Sequence, residues 1–281
     1  MAGHRGKRAW AWNPRPAMLR VIFQQADSVT FETRDFDFAA LSPRDRYKIL
    51  IGTVVPRPIA WVTTVDKEGR VNAGPYSFFN CLSADPAIVA LGVEYRPDGS
   101  SKDTARNIRD TGVFTVNIVS DALAEAMMVT AVPFARGVDE LAAAGLETAP
   151  GTAIDCPRIA RAPAALECRL HSFLDIRDSR DIILGEVVHA HIRADAVNDR
   201  LHIDPAIIDA VGRMGGTGYA GTRDFFDLPN TSEAALQAEG MASLRRTARR
   251  LPGAPPPPAA SGHSDSAIGS VNEVTATQRR G

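Results

Sequence analysis

Two strand-like stretches joined by a tight turn lie in the first third of the chain, and they constrain the fold more than any other feature. Residues 59–65 are apolar and rich in β-branched side chains, and residues 66–69 read Asp-Lys-Glu-Gly, which supplies a turn into the stretch that begins at Val71. Pro75 interrupts the returning strand, so we expect an edge position or a bulge there. The pattern predicts an antiparallel hairpin early in the fold.

Short strands with small helices between them continue through the middle of the chain. We predict strands at residues 87–93, 112–119, 165–176 and 181–194, and short helices at residues 120–131, 138–144 and 205–211. Strands and helices do not alternate regularly, which argues against a parallel, doubly wound sheet. The sequence therefore predicts a mainly β fold, a mostly antiparallel barrel with peripheral helices.

Composition and charge exclude several classes of function. The chain has 32 Lys and Arg against 33 Asp and Glu, so nothing global favours nucleic acid or an anionic membrane surface. The longest apolar runs are only as long as strands, which predicts no transmembrane helix. The three cysteines are far apart and lack paired spacing, a pattern typical of the reducing cytoplasm.

The two ends of the chain differ in composition from its middle. Residues 1–29 are basic and are predicted to form a disordered extension, within which Met18 is an alternative start. Its apolar run is short and split by Arg20, so we expect no secretory signal. Residues 30–228 are predicted to form the folded domain. Residues 229–281 are predicted to hold a peripheral helix and a disordered tail rich in Pro and Ser.

The segment from Ser100 to Arg109 has the pattern of a helix start that carries a cation. Ser100 and Asp103 stand in the S-x-x-D relation, which predicts Ser100 as the N-cap and places Lys102 in the first turn. The backbone N–H groups and the dipole of a helix N-terminus bind phosphate, and an ammonium or the hydroxyl of Thr104 adds to such a site. On this segment alone, an ordinary capped surface helix is the simpler interpretation.

Small polar and aromatic residues are mixed on the second strand of the hairpin and just beyond it. Ser and Asn side chains beside a strand kink can bind the polar edge of an isoalloxazine ring, while Phe packs on its face. A kinked edge strand with two core phenylalanines explains the same residues equally well. Combined with the cation at position 102, the pattern indicates a flat aromatic ligand with a phosphate tail, namely FMN. The residues concerned are Ser77, Phe78, Asn80 and Ser83.

Three weaker candidates for ligand binding lie near these motifs. Arg57 is held extended by its flanking prolines and could meet phosphate or the anionic edge of a flavin, although a solvated loop arginine is the simpler interpretation. Thr63 and Thr64 fit either ordinary β-propensity or contact with a ribityl chain.

A glycine-rich run at residues 216–221 matches the G-x-G-x-x-G pattern of dinucleotide-binding proteins. That motif must follow a strand and open a helix, whereas this run follows a predicted helix and leads quickly to Pro229. We therefore reject a Rossmann interpretation. Such a loop could instead lay Arg213 across a pocket.

Metal-binding and hydrolytic motifs give weaker signals still. His189 and His191 are two residues apart on a predicted strand, so they share a face, but the sequence shows no third ligand nearby. We therefore predict no metal site. The chain has no G-x-S-x-G elbow, no H-E-x-x-H pair and no Walker loop, so hydrolase and NTPase chemistry have no support.

Residues 40–220 contain a series of segments that together resemble the flavin reductase-like proteins of the FMN-binding split-barrel class. The resemblance implies a six-stranded antiparallel FMN-binding split barrel with peripheral helices, forming a homodimer with FMN near the subunit interface. The segments, in chain order, are PRPIAWVTT, DKEGRVN, PYSFFN, SADP, KDTARNI, GVFTVNIV, VDELAAAGLE, APAALECRL, ILGEVVHAHI and GRMGGTGY.

Matched motif by motif, the resemblance also implies which residues bind the cofactor. Lys102 and Thr104 would hold the phosphate, and Thr63 or Thr64 would approach the flavin from the neighbouring strand. Arg57 and Arg213 are further candidates. The residues expected along the isoalloxazine ring and the ribityl chain are Ser77, Phe78, Asn80 and Ser83.

The implied activity is that of an NAD(P)H-dependent flavin reductase, in which hydride passes from NADH or NADPH to FMN and no side chain need act as a general acid or base. Reduced flavin could then serve a partner monooxygenase or another electron acceptor. The alternative is an FMN-carrying electron-transfer protein, similar to a flavoredoxin, that is reduced by a protein partner. A third interpretation, a split-barrel binding module without flavin, leaves the YSFFN and KDT segments without a use.

Overall fold

A computed structural model describes residues 31–134, 138–176, 179–244 and 247–250. The basic extension predicted for residues 1–29 and the Pro- and Ser-rich tail predicted beyond residue 251 lie outside the described residues. Within the described part of the chain, no helix combines the length and the apolar character needed to span a membrane.

Seven strands form the main sheet of the described residues, all paired antiparallel. Their order across the sheet is β3-β2-β6-β9-β10-β5-β4. These strands are β2 (Ala60–Val65), β3 (Val71–Tyr76), β4 (Phe79–Ala84), β5 (Ala87–Glu94), β6 (Val113–Ile118), β9 (Ala164–Ile176) and β10 (Arg180–Ile192).

The remaining strands form three small sheets. Strand β1 (Arg57–Pro58) pairs with β11 (Val211–Arg213), which also pairs with β12 (Tyr219–Gly221). The two other small sheets each contain two strands, β7 (Thr148–Ala149) with β8 (Arg158–Ile159) and β13 (Asp224–Asp227) with β14 (Thr247–Arg250).

Six short α-helices surround the sheets in the described residues. The longest of them, α1, precedes the first strand. The helices are α1 (Pro43–Thr53), α2 (Asp103–Thr111), α3 (Ala124–Thr130), α4 (Glu140–Ala143), α5 (Pro205–Ile208) and α6 (Glu233–Glu239).

The mainly β class and the antiparallel barrel are confirmed, with one more strand in the main sheet than the resemblance implied. The run of residues 71–84 divides at Ser77 and Phe78 into β3 and β4, which lie at opposite edges of the sheet. The Gly92 amide of β5 donates to the Phe78 carbonyl at 2.7 Å, so the bend between β3 and β4 crosses from one edge toward the other. Pro75 lies in β3, an edge strand, as predicted.

Alternate residues of β2 pack in two separate cores. Ala60 and Val62 belong to the barrel core, together with residues such as Phe114 of β6. Trp61 belongs to a second core beneath the small helices, and its indole Nε1 donates to Thr130 Oγ1 of α3 at 2.9 Å. Because both faces of the strand are covered, β2 has the continuous apolar character of a fully buried strand.

Helix α2 begins differently from the prediction. The predicted N-cap at Ser100 is wrong, because the Ser100 hydroxyl donates to Asp98 Oδ1 at 2.6 Å instead of capping the helix. Lys102 occupies the N-cap position, and its side chain makes no cap hydrogen bond. The helix ends at Gly112, whose φ of 74° is the left-handed conformation that glycine adopts most easily. Lys102 thus still lies at the N-terminus of the helix.

Two further sequence expectations have clear outcomes near the C-terminal end of the described residues. The run at residues 216–221 joins β11 to β12 as a hairpin and opens no helix, as expected from the rejection of the Rossmann interpretation. The peripheral helix predicted from residue 232 onward is shorter than expected. It ends at Glu239, because Gly240 at φ 58° stops it and a short 3-10 turn follows.

Candidate functional site

A cavity of about 230 Å³ opens where helix α1, the bend between β3 and β4, and the N-terminus of α2 meet. Strands β5, β10, β11 and β12 and helix α3 complete its lining. Most of these elements are far apart in the sequence, so the barrel and its short helices together create the cavity.

Cations outnumber acids in the described lining of this cavity. Lys102, Arg180 and Arg213 line it, with Glu94 as the one carboxylate among the described lining residues. Lys102 Nζ lies 2.8 Å from Glu94 Oε1. Among the described lining residues, no second carboxylate is then present to offset the charges of Arg180 and Arg213. Burial lowers the pKa of Arg180. The excess of positive charge indicates a site for an anionic ligand.

Each of the three cations lies over an aromatic ring. The Arg180 guanidinium carbon is 4.0 Å from the centre of the Phe78 ring, and that of Arg213 is 4.5 Å from the centre of the Tyr219 ring. Lys102 Nζ lies 5.7 Å from the centre of the Tyr76 ring. Cation–π contacts hold the charged groups against flat apolar surfaces. The cavity lining therefore places positive charge directly beside aromatic rings.

Helix α1 contributes a further aromatic ring to the cavity. The rings of Tyr47 and Phe78 are stacked, with centroids 6.3 Å apart and planes 20° apart. Helix α1 begins with Ser42, whose hydroxyl accepts a hydrogen bond from the Asp45 amide as an N-cap, and with Pro43 in its first turn. Tyr47 lies in the next turn and faces the bend between β3 and β4.

Arg57 joins three segments that surround the cavity. Its side chain is buried, and Nη1 donates to the carbonyls of Ile51 at 2.7 Å and Val54 at 2.8 Å, at the end of α1. Nη2 donates to the Met214 carbonyl at 3.1 Å, and Nε donates to Ser77 Oγ at 3.4 Å. One guanidinium thus joins α1, the bend between β3 and β4, and the segment that follows β11.

Thr104 contacts the cavity lining through a hydrogen bond with Tyr76. Its hydroxyl is buried and accepts hydrogen bonds from the Tyr76 hydroxyl and from Asn72 Nδ2, each at 2.9 Å. Burial raises the pKa of Tyr76 to about 12, so its hydroxyl is protonated at neutral pH and acts as the donor. Tyr76 lines the cavity, whereas Thr104 lies behind it.

The structure brings four of the ten predicted site residues to the cavity. These are Ser77, Phe78, Lys102 and Arg213. Arg57 and Thr104 lie directly behind the lining and contact it through Ser77 and Tyr76.

The other four predicted site residues lie away from the cavity lining. Thr63 and Thr64 are fully buried: the Thr63 hydroxyl donates to the Pro157 carbonyl at 2.6 Å, and the Thr64 hydroxyl accepts from Asn107 at 3.1 Å. Asn80 and Ser83 are exposed on β4.

Sequence reasoning missed several residues of the lining. Arg180 opens β10 after a hairpin, and Tyr47 lies on a polar helix 31 residues before Phe78, so neither belongs to a local motif. Tyr219 lies within the glycine-rich run at residues 216–221, just after Arg213, and was the one with a usable signal, because the sequence already suggested that this loop borders a pocket. The other two depend on contacts between distant strands and helices.

Comparison with known proteins agrees with this architecture. The family described as "Flavin reductase like domain" matches residues 51–207. An uncharacterized protein of Deinococcus radiodurans is 47% identical over 214 residues, which cover 74% of this chain and 94% of that protein.

Two solved structures are similar over 71% of the chain. The 2-nitrobenzoate 2-nitroreductase NbaA of Pseudomonas fluorescens has a TM-score of 0.66 and 33% identity, with 98% of its chain covered. Component B of nitrilotriacetate monooxygenase from Bacillus cereus has a TM-score of 0.67 and 29% identity, with 100% covered. The fold is thus that of the split-barrel flavin reductase structures. This chain belongs to the flavin reductase-like family.

Proposed function

We propose that this protein binds FMN in the cavity and acts as an NAD(P)H-dependent flavin reductase. The observation that carries the proposal is the set of three cations in the cavity, each lying against an aromatic ring. A flavin mononucleotide combines a phosphate dianion with a flat ring system, so it requires charge and ring faces together. The donor set of the cavity fits both parts of such a ligand.

The phosphate is assigned to Lys102. This side chain lies at the N-terminus of α2, a nine-residue helix whose first N–H groups and dipole favour an anion. Phosphate has to compete there with Glu94, which already pairs with Lys102. Thr104 contributes indirectly, by holding the Tyr76 ring beneath the ammonium group.

The ring system is assigned to the part of the cavity that Phe78 and Arg213 line. Ser77 supplies a hydroxyl there, and Arg57 positions it from behind. Asn80 and Ser83 are accessible on β4 and stay predictions for the outer part of the ligand. Thr63 and Thr64 are removed from the proposed contacts, because their hydroxyls are buried and already engaged inside the barrel.

The protein's own residues have two proposed tasks, to orient the flavin and to stabilise negative charge on its ring system. No acid–base step is assigned to them. When bound, FMN supplies N5 as the acceptor of a hydride from the nicotinamide C4. The guanidinium groups of Arg180 and Arg213 are placed to stabilise negative charge on the ring system, because fixed cations in a partly dehydrated cavity act more strongly than in water. The stacked rings of Tyr47 and Phe78 line the same cavity.

An anaerobic absorbance experiment tests this function. Protein loaded with FMN is expected to lose its absorbance near the visible flavin maximum when NADH or NADPH is added, much faster than FMN with nucleotide alone. Retained flavin that neither nucleotide reduces would favour the alternative, an electron carrier reduced by a protein partner. Failure to retain FMN would contradict the site assignment.

The acceptor of the electrons is proposed from the names of the two solved relatives. One is a nitroreductase and the other is a component of a monooxygenase. We therefore propose that electrons pass either to a small oxidised acceptor or, as reduced flavin, to a partner monooxygenase.

We also propose that the protein is a homodimer. Supporting this, large apolar side chains are exposed along the outer parts of β9 and β10, namely Leu174, Ile176, Val188 and Ile192, which are 36–53% exposed. Exposed apolar side chains in two pairs, one toward each end of the β9–β10 hairpin, favour an interface along this hairpin. Sedimentation equilibrium at micromolar concentration is expected to give twice the mass of the 30.1 kDa chain, and a monomer under those conditions would contradict the proposal.

A further inference from the structure

Strands β9 and β10 bring one carboxylate and two imidazoles together on one face of the sheet. His189 pairs directly with Glu167 across the two strands, and His191 follows two residues later. Directly paired residues of antiparallel strands point to the same side, and so do residues two apart on one strand. The three side chains therefore share a face although Glu167 is 22 residues from His189 in sequence.

A β-bulge creates this arrangement. The pairing runs from Val187 opposite Cys168 to His189 opposite Glu167 and so passes over Val188. Without this extra residue, Val188 would lie opposite Glu167, and both imidazoles would point to the other face of the sheet. Bulges commonly redirect side chains in this way next to functional sites.

The three groups lie within ligand distance of one another. One ligand atom from each residue can be chosen so that all lie within 4.8 Å of each other. His191 Nε2 is 2.6 Å from Glu167 Oε1, and the two imidazole centroids are 4.9 Å apart. Glu167 is fully buried, whereas both histidines are partly exposed, so solvent reaches one side of the cluster.

Backbone amides of residues 152–154 hold the Glu167 carboxylate in place. Glu167 Oε1 accepts from the Thr152 amide at 2.6 Å, and Oε2 accepts from the amides of Ala153 at 2.7 Å and Ile154 at 3.0 Å. These three backbone N–H groups fix the orientation of the carboxylate and favour its charged form. Fixed, ionised carboxylates of this kind are common among metal ligands, whose outer hydrogen bonds set their orientation.

We propose that Glu167, His189 and His191 form a binding site for a first-row divalent transition metal, for which Zn²⁺ is the test ion. Two imidazoles and one carboxylate are a donor set that such ions accept, with a water at the open position on the solvent side. Metal–ligand bonds of about 2 Å require the Glu167 Oε1 to His191 Nε2 distance to open to about 3.3 Å for a tetrahedral ion. The partly exposed His191 ring can make this small movement.

The proposed metal would stabilise the folded barrel and would not contact the flavin cavity. None of its three ligands lines that cavity. The ion would join the bulge of β10 to β9 and, through Glu167, to the loop at residues 151–154. A ligand that binds the folded state alone stabilises it in proportion to its affinity.

Zinc titration of the untagged full-length protein tests the proposal, after removal of metals with a chelator. Isothermal titration with Zn²⁺ is expected to give one equivalent bound, with the affinity reduced at least tenfold in His189→Ala and in His191→Ala. His171→Ala is the matched control, because His171 is exposed on β9 outside the cluster, and it is expected to bind zinc as the wild type does. Equal affinity in the wild type and the two cluster variants would overturn the proposal.

Cobalt provides a second readout that does not depend on affinity. Co²⁺ is expected to produce visible d–d absorption bands in the wild type and in His171→Ala, and these bands should be lost in His189→Ala. Where an alanine variant fails to fold by circular dichroism, the asparagine variant at the same position replaces it. A wild-type protein that binds neither ion stoichiometrically would show that His191 and Glu167 form only a hydrogen bond.

Discussion

Replacement of Lys102 by alanine is expected to weaken FMN binding by more than tenfold. In the proposed site this ammonium meets the phosphate at the N-terminus of α2, where the backbone N–H groups also favour an anion. A tenfold loss corresponds to about 1.4 kcal/mol, near the lower end of the roughly 1.5–3 kcal/mol that a hydrogen bond to a charged group contributes. Fluorescence titration of FMN with protein measures the affinity directly.

Two further variants separate the effect of losing the phosphate contact from the effect of losing the Lys102–Glu94 ion pair. Glu94→Gln breaks the same Lys102–Glu94 pair from the other side and is expected to leave FMN affinity equal or higher, because a competing carboxylate is removed. Lys67→Ala is the charge control, since Lys67 pairs with Asp110 and lies outside the cavity. Unchanged affinity in Lys102→Ala would contradict the assignment of the phosphate to this residue.

Replacement of Arg57 by alanine is expected to lower the free energy of unfolding by about 2–4 kcal/mol and to weaken flavin binding as well. The buried guanidinium donates to the carbonyls of Ile51, Val54 and Met214, and its removal leaves these acceptors without their charged donor. Urea denaturation measures the stability, and FMN titration measures the effect on the cavity.

The control for this experiment lies on α1, the helix whose last carbonyls accept from Arg57. Arg44 is exposed on α1, so Arg44→Ala is expected to change stability by less than about 0.5 kcal/mol. Arg57→Lys should fall between the alanine variant and the wild type, because one ammonium cannot reach three carbonyls from two segments. An Arg57→Ala protein as stable as the wild type would show that the three carbonyls find other donors.

The sequence already identified both Lys102 and Arg57 as candidate ligand-binding residues, but the structure places them differently relative to the cavity. Lys102 lines the cavity, as a phosphate ligand must. Arg57 is buried behind it and positions the bend between β3 and β4, so its expected effect on flavin is indirect. The sequence could not separate the two roles, because burial of an arginine depends on which carbonyls the rest of the fold brings to it.

Local patterns were sufficient where a structural element depends on its own residues. The turn at residues 66–69 and the apolar run of β2 predicted the first hairpin, and the lack of regular strand–helix alternation predicted an antiparallel sheet. The N-cap of α2 was placed wrongly because Asp98, two residues before Ser100, takes the serine hydroxyl. The division of residues 71–84 between two sheet edges was also missed, since both halves look like one kinked strand.

The sequence by itself determined the mainly β class, the family resemblance and the motifs around Ser77 and Lys102. Only the tertiary structure placed Arg180 over Phe78 and set Glu167 opposite His189. The physical reason is that contacts between distant residues depend on strand register and on where a helix docks. A single bulge residue, Val188, changes which side chains share a face, and no local pattern of residues encodes that shift.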